Sequence, residues 1–422
     1  MASISPAYRA HVAIIGGATA GAEAADKLAA QGALCVVFEQ NDRPYGKVED
    51  GLPRWHAALR RKEYDLIDTK LQRDGVHFVP RTAIGRDLEF ADLLGTWEFD
   101  LIVLANGAWR DRPLPVEGVD AFVGRGLVYQ NPLIYWFNHQ HEPDYAGPRF
   151  EIPDGVVVIG GGLASIDVVK VLQLIKTRDA LAARGIDEDL LEMEANGIPE
   201  TLARHGLRWE DLGLEGCTLY YRRRLEDMPL TEPPANGRPH DPVKSGQIRR
   251  RILEKAQSKF LFKVEPQAMP IAPIVEGDRL VGLRFARTRV DDTGRAERIP
   301  GEEWDVRTDL VISSIGSIPE PIAGLDMRGE LLRIEDHELG KIADFEHVFG
   351  CGNVVTGKGN LVASRRHSGH VASHLAQRLD VEARRHESSA ALLARVRERQ
   401  QKVGFDGDYR SWIERVRPAG FA

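Results

Sequence analysis

The sequence predicts an α/β fold built on two strand–turn–helix units, because it holds two glycine turns followed by two different strand endings. The first turn runs His11-Val12-Ala13-Ile14-Ile15-Gly16-Gly17-Ala18-Thr19-Ala20-Gly21. The second, about 145 residues later, runs Val156-Val157-Val158-Ile159-Gly160-Gly161-Gly162-Leu163-Ala164-Ser165. Each sets a short apolar run before the glycines and small residues after them, the context a dinucleotide fingerprint requires. Glycine lets the backbone approach a pyrophosphate, and the helix start offers unpaired N–H groups and a positive dipole end. One such turn is weak evidence. Two in series point to two dinucleotide-binding, Rossmann-like domains and to two dinucleotides, one passing electrons to the other.

The strand endings distinguish the two halves. After Gly21 an alanine-rich helix leads into Leu34-Cys35-Val36-Val37-Phe38-Glu39. An acid about twenty residues after the turn accepts a ribose hydroxyl and repels a ribose phosphate, so Glu39 favours FAD or NAD. Ala18 takes the place of the middle glycine. The second half ends differently: Thr218-Leu219-Tyr220-Tyr221 runs into Arg222-Arg223-Arg224. Guanidinium groups grip phosphate bidentately, which suits the 2′-phosphate of NADP. About forty residues, from Thr177 to Gly216, separate helix from strand here and carry helical patterns at Asp189-Leu190-Leu191-Glu192-Met193 and Pro199-Glu200-Thr201-Leu202-Ala203.

Taken in order, these motifs resemble the NADPH-dependent flavoprotein reductases that include adrenodoxin reductase and the small subunit of glutamate synthase, over about residues 10–380. Tyr45-Gly46-Lys47-Val48-Glu49-Asp50-Gly51-Leu52-Pro53 is similar to the segment that passes the flavin. Tyr221-Arg222-Arg223 with Met228-Pro229 is similar to the phosphate-reading stretch, and Asp309-Leu310-Val311-Ile312-Ser313-Ser314-Ile315-Gly316 to the strand that returns from the NADP domain. Cys351-Gly352-Asn353-Val354 and Gly357-Lys358-Gly359-Asn360-Leu361-Val362 resemble the C-terminal flavin segment. The resemblance implies FAD contacts at Gly16, Ala18, Ala20, Gly21, Glu39, Lys47, Val48, Thr82, Gly107, Gly352, Asn353, Asn360, Leu361 and Val362. It implies NADP contacts at Gly160, Gly161, Gly162, Leu163, Ala164, Arg222 and Arg223. A helix starting near Leu361 would aim N–H groups at the flavin C2 carbonyl, where negative charge grows on reduction. Lys47 stands where the family has an apolar residue, Asn353 where it has Asp or Trp, and Asn360 where glycine is usual.

The implied activity is electron transfer between NADPH/NADP and ferredoxin or another iron–sulfur partner through FAD, in either direction. Such chemistry needs positioning more than a protein acid or base, so no catalytic side chain is expected. Ferredoxins are generally acidic and this chain carries a net charge of −7, so docking requires a local basic patch. The run Lys244-Ser245-Gly246-Gln247-Ile248-Arg249-Arg250-Arg251-Ile252-Leu253-Glu254-Lys255 supplies one. Ile248, Ile252 and Leu253 are expected to face inward, with Lys244, Arg249, Arg250 and Lys255 available to a partner. Two other classes stay open: an electron-transfer subunit of a larger iron–sulfur complex, and a non-catalytic nucleotide-binding interaction protein.

Length and composition set the organisation. At 422 residues the chain exceeds one hydrophobic core. An FAD domain is expected over 1–117 and 325–383, with an NADP domain inserted over 118–324 and a helical tail over 384–422. Leu101-Ile102-Val103-Leu104-Ala105-Asn106-Gly107 and the crossing Arg112-Pro113-Leu114-Pro115 close the first FAD segment. Arg279-Leu280-Val281-Gly282-Leu283-Arg284-Phe285 alternates as an antiparallel strand, and Asp291-Asp292-Thr293-Gly294 reads as a hairpin turn. The tail aromatics Tyr409, Trp412 and Phe421 either cap the core or dock a partner. With 43% hydrophobic and 28% charged residues, the composition is that of a soluble globular protein. No apolar run reaches membrane-span length, and the absence of an apolar signal region points to the cytoplasm. The net charge gives no case for nucleic acid. Cys35, Cys217 and Cys351 stand isolated, which excludes a four-cysteine cluster or a redox dithiol on this chain alone. His367, His370 and His374 recur at helical spacing without a carboxylate or cysteine at ligand spacing. They read as a solvated or flavin-adjacent helix face, and no metal is expected.

Overall fold

The computed structural model describes residues 8–231, 242–357, 360–382 and 389–417. Lys358, Gly359 and Phe421 lie outside the described residues. The chain forms two compact units, Met1–Arg110 with Ser317–Ala422, and Asp111–Gly316. The second is thus inserted in the first, with crossings at Arg110/Asp111 and Gly316/Ser317.

The first unit is built on β1 (His11–Ile15), β2 (Leu34–Phe38), β3 (Val76–Val79) and β4 (Leu101–Leu104). β1 pairs in parallel with β2 and β4, β2 with β3, and the later strand Val348–Gly350 with β4. Apolar runs rich in Val and Ile, of this kind, are what a parallel sheet buried on both faces requires. The antiparallel strands Ile334–Asp336 and Lys341–Ile342 finish one edge. Helix α1 (Thr19–Ala30) packs on one face against the helix Leu361–Glu382. Small residues allow the close approach: Ser368 lies in that contact and donates to the Ala20 carbonyl at 2.5 Å.

The tail belongs to this core. Phe405, Tyr409, Trp412 and Ile413 are buried with α1 and β1, while Leu392 and Val396 join the cluster on the other face of the sheet. Trp412 is 2% exposed, and its Nε1 donates to the Asp42 carbonyl at 2.8 Å. Tyr409 donates to Asp68 Oδ1 at 2.6 Å. Of the two readings left open for Tyr409 and Trp412, capping the core is the one found.

The second unit carries a five-stranded parallel sheet ordered Leu127–Tyr129, Val311–Ser314, Val157–Gly160, Thr218–Tyr221, Lys263–Pro266. Beside it stands an antiparallel sheet of Ala268–Glu276, Arg279–Val290 and Ala296–Arg307. The turn expected at Asp291–Gly294 is present. Asp291 Oδ1 accepts from the N–H groups of Thr293 and Arg295, and Gly294 takes φ +80. The long connection before the arginines holds two short helices. Leu190–Asn196 is capped by Asp189, which accepts from Leu191 and Glu192 N–H, and Ile198–Arg204 has Pro199 in its first turn.

One expectation fails on the helix Pro242–Phe260. Leu253 is buried, but Ile248 is 42% exposed. Five residues of α-helix turn through about 140°, so the two cannot share a face. Arg249, four residues before Leu253, shares it instead and is half-buried rather than projecting.

Candidate dinucleotide sites

Both glycine turns sit at the C-terminal ends of central parallel strands, where open α/β sheets bind ligands. In the first, Gly16 has φ +99, and a Cβ there would lie 2.7 Å from the Ala105 carbonyl oxygen. A Cβ on Gly21 would meet the Gly16 carbonyl oxygen at 1.8 Å, so β1 and α1 can approach this closely only with glycine at that position. Ala18 is the N-cap of α1 and has no side-chain acceptor, which leaves the first-turn N–H groups to an anion.

Glu39, 4% exposed, accepts from Gly17 N–H at 2.9 Å through Oε2 and from Asn41 N–H at 3.0 Å through Oε1. Burial pushes its carboxyl up to about 7, against the backbone donors of Gly17, Asn41 and Gln40 and with a smaller push from Asp50. Thr82 anchors the same corner: its N–H donates to the Glu39 carbonyl at 2.8 Å. Its hydroxyl donates to Pro80 O and accepts from Arg399 Nε of the tail at 2.9 Å. That link spans 317 positions of sequence, and no local pattern announces it.

The remaining flavin-side positions gather around the ends of β1, β4 and Val348–Gly350. Val48 is buried, and Gly46 (φ +51) leaves no room for a Cβ beside Ala18. Lys47 donates to Ser317 Oγ at 2.8 Å and lies 5.8 Å from the Trp109 ring centre. Gly107 (φ +69) faces open space, and a Cβ on Gly352 would meet Ala20 Cβ at 2.7 Å. Thr19 Oγ1, Asn106 Oδ1 and Asn353 Oδ1 are buried here without a hydrogen-bond partner among the described residues. Buried polar atoms are rarely left unmatched. Three at the ends of neighbouring strands and helices fit a ligand rich in hydroxyl and phosphate groups, as FAD is. With FAD bound, Thr19, Asn106 and Asn353 would be matched, and Glu39 would hold the adenosine ribose.

The helix at Leu361 begins where expected, but its donors are partly taken. Asn360 Oδ1 accepts from Val362 N–H at 2.8 Å and Ala363 N–H at 3.2 Å. The residue standing in place of the usual glycine thus caps the helix. The N–H of Val362, expected to face the flavin, is already bonded to that cap.

His367 turns inward behind the same segment. Its Nδ1 accepts from Gly352 N–H at 3.0 Å, and its Nε2 lies 3.1 Å from the His337 carbonyl oxygen. A nitrogen that accepts an N–H carries no proton, so the ring is neutral and protonated at Nε2. Burial, together with His370 and His337, holds its pKa below the usual 6.5, against the raising effect of the carbonyl contacts. His370 faces Glu338 instead, at 3.6 Å. The unfolded chain binds the His367 proton more readily, so this group's stability is full above pH 6.5 and falls as pH drops below it. We expect His367→Gln to flatten the decline of melting temperature between pH 6.5 and 5, measured against wild type; an unchanged slope would refute the neutral-ring assignment.

In the second turn, a Cβ on Gly160 would lie 2.6 Å from the Ser314 carbonyl oxygen, and one on Gly161 2.3 Å from the Tyr221 ring. Gly162 caps the helix Leu163–Ala182 without a side-chain acceptor, and Leu163 and Ala164 are exposed at its open start. Arg222 is exposed; its carbonyl accepts from Thr288 Oγ1 at 2.7 Å, and its guanidinium has no hydrogen bond or ion pair among the described residues. Arg223 is half-buried and engaged: Nε donates to Tyr221 Oη at 2.9 Å and Nη2 to the Asp227 carbonyl at 3.4 Å. Arg224 pairs with Asp227 at 2.9 Å. An open helix start beside an unpaired guanidinium fits a pyrophosphate and a second phosphate, as NADP carries.

In one unit the strand after the glycine turn ends on a buried carboxylate and in the other on arginines, the arrangement of an FAD- and NADP-dependent oxidoreductase. Comparisons agree. Residues 10–190 match the pyridine nucleotide-disulphide oxidoreductase family model. The chain is 24% identical over 400 residues to the mitochondrial NADPH:adrenodoxin oxidoreductase of Arabidopsis thaliana, covering 84% of this chain and 79% of that one. It is 28% identical over 328 residues to NADPH-Fe(3+) oxidoreductase subunit beta of Geobacter sulfurreducens, covering 75% of this chain but 38% of the relative. FprA of Mycobacterium tuberculosis, solved in complex with NADPH, shares the fold at TM-score 0.70 and 18% identity, over 93% of this chain and 91% of that one. The chain is thus similar, over most of its length, to NADPH-dependent oxidoreductases that include adrenodoxin oxidoreductase.

Proposed function

We propose that this protein carries electrons between NADPH/NADP and a one-electron iron–sulfur partner. The observation that carries the reading is the pair of uncapped helix starts, one with Glu39 and one with Arg222 beside it. Bound FAD would supply the exchange between a hydride donor and single electrons. The protein's part is to hold the two dinucleotides by Glu39, the Asn353 segment and the Arg222 loop. Either direction of flow uses the same residues.

An iron–sulfur partner is what the names of the relatives suggest. Of the docking residues expected on Pro242–Phe260, Arg249 turns inward and donates to the Glu226 carbonyl at 3.0 Å, and Arg250 pairs with the Glu226 carboxylate. Lys244 and Lys255 are exposed, and we place the acidic partner's contact on them. Among the described residues no helix is long and apolar enough to cross a membrane. A cytoplasmic setting is part of the proposal, and the three buried free cysteines are compatible with a reducing compartment.

The chain spans 38% of the Geobacter subunit, which keeps a role within a larger complex as a second reading. Low-salt pull-down followed by absorption spectra of the captured chains separates the two. The purified protein should be yellow, and heating should release FAD. Release of FMN or of no flavin from a folded sample would sink the assignment, as would failure of NADPH to bleach the flavin.

A further inference from the structure

The arginines of the Pro242–Phe260 helix do something other than project. Gly246 brings that helix against the turn Leu225–Asp227: a Cβ there would lie 3.1 Å from Glu226 Cβ. From one turn further along, Arg249 donates to the Glu226 carbonyl at 3.0 Å, and Arg250 forms an ion pair with the Glu226 carboxylate. Backbone and side chain of one residue are thereby held from two neighbouring positions.

The turn so held is the one that shapes the phosphate-reading strand end. Asp227, next to Glu226, grips Arg224 through both carboxylate oxygens, at 2.9 and 3.2 Å. The Asp227 carbonyl accepts from Tyr221 Oη at 2.9 Å and from Arg223. Tyr221 in turn lies against Gly161 of the second glycine turn. A continuous path thus runs from the helix through Glu226 and Asp227 to Arg223, Tyr221 and the pyrophosphate turn. Arg222 adjoins these anchored neighbours, and of the three arginines its guanidinium is the one left unpaired among the described residues.

We propose that Arg249 and Arg250, through Glu226, are positioning residues for the loop that reads the 2′-phosphate of NADP, rather than contacts for the electron partner. This rests on the NADP reading given above. The rotamer freedom of an arginine at a strand end is costly to freeze on binding, and a loop fixed beforehand lowers that cost. Arg250 therefore raises affinity without touching the ligand.

The test uses the full-length flavin-loaded protein, with 2′,5′-ADP and 5′-AMP as calorimetric probes and steady-state kinetics alongside. Arg250→Ala should weaken 2′,5′-ADP roughly tenfold and raise KM for NADPH to match, leaving kcat and 5′-AMP affinity within about twofold. Glu226→Ala should do the same, and the double variant should be no worse than either, since both act through one contact. Arg250→Lys, which keeps the ion pair, should recover most of the affinity. An Arg250→Ala effect that persists in full on the Glu226→Ala background would mean direct attraction of the phosphate and overturn the proposal. So would unchanged 2′,5′-ADP binding with slowed reduction of an iron–sulfur acceptor, the signature of docking. A wild-type protein that binds 2′,5′-ADP no tighter than 5′-AMP would instead overturn the NADP reading, and the proposal with it.

Discussion

Replacing Arg222 and Arg223 together by alanine is expected to abolish the preference for NADPH over NADH. Wild type should discriminate by at least ~100-fold, because hydrogen bonds to charged groups contribute about 1.5–3 kcal/mol each and every 1.4 kcal/mol is tenfold. The two arginines contribute differently. Arg222 is exposed and unpaired among the described residues, so Arg222→Ala alone should lower kcat/KM for NADPH with little effect on NADH. Arg223 is tied to Tyr221 and Asp227, and Tyr221 lies against Gly161. Arg223→Ala should therefore disturb the glycine turn and weaken both nucleotides. Stopped-flow reduction of the flavin by each nucleotide measures these effects. Equal rates with NADPH and NADH in wild type would refute the assignment, and loss of both in Arg222→Ala would reverse the roles given to the pair.

Glu39 and Arg222 stand out in the sequence because their signals are local. The strand after the first turn ends at Glu39, about twenty residues on, and the second, though delayed by a connection of about forty residues, ends in a recognisable run of arginines. The same locality explains the helix beginning at Leu190 and Gly294 in its turn. What the sequence could not show depends on contacts distant in the chain. Asn360 reads as a departure from a pattern until the helix beginning at Leu361 reveals it as the cap of Val362 and Ala363. His367 shares a spacing with His370 and His374, but only the fold shows that its Nδ1 meets Gly352. The Arg399–Thr82 contact and the burial of Trp412 join the tail to the first unit's core across most of the chain. Ile248 departs from its expected inward position for a different reason. Apolar residues at positions 248, 252 and 253 suggest a stripe, yet the first and last lie about 140° apart around a helix.

FAD affinity should fall about 30- to 100-fold in Glu39→Gln, and its pH dependence should disappear. The two carboxylate oxygens accept from different backbone donors, Gly17 and Asn41. An amide has one acceptor oxygen, so one of those N–H groups must face an NH2, at about 1–3 kcal/mol for the unsatisfied donor. Loss of the charge-assisted bond to a ribose hydroxyl adds to this. The pH behaviour follows from burial, which raises the free carboxyl to about 7 from an ordinary 4.5. The folded, flavin-free protein therefore holds this proton over a range where the unfolded chain has released it. Its contribution to stability is greatest below pH 4.5 and declines as pH rises through 7. Ribose hydroxyls donating to the carboxylate favour its charged form, so FAD binding should release a proton. Affinity in wild type should then rise as pH approaches 7 and level off above it, while Glu39→Gln, lacking a titrating group, should show neither the rise nor the proton release. Calorimetric titration of flavin-depleted protein in buffers of different ionisation enthalpy reads both quantities at once. A Glu39→Gln protein that binds FAD with wild-type affinity and wild-type pH slope would remove Glu39 from the site.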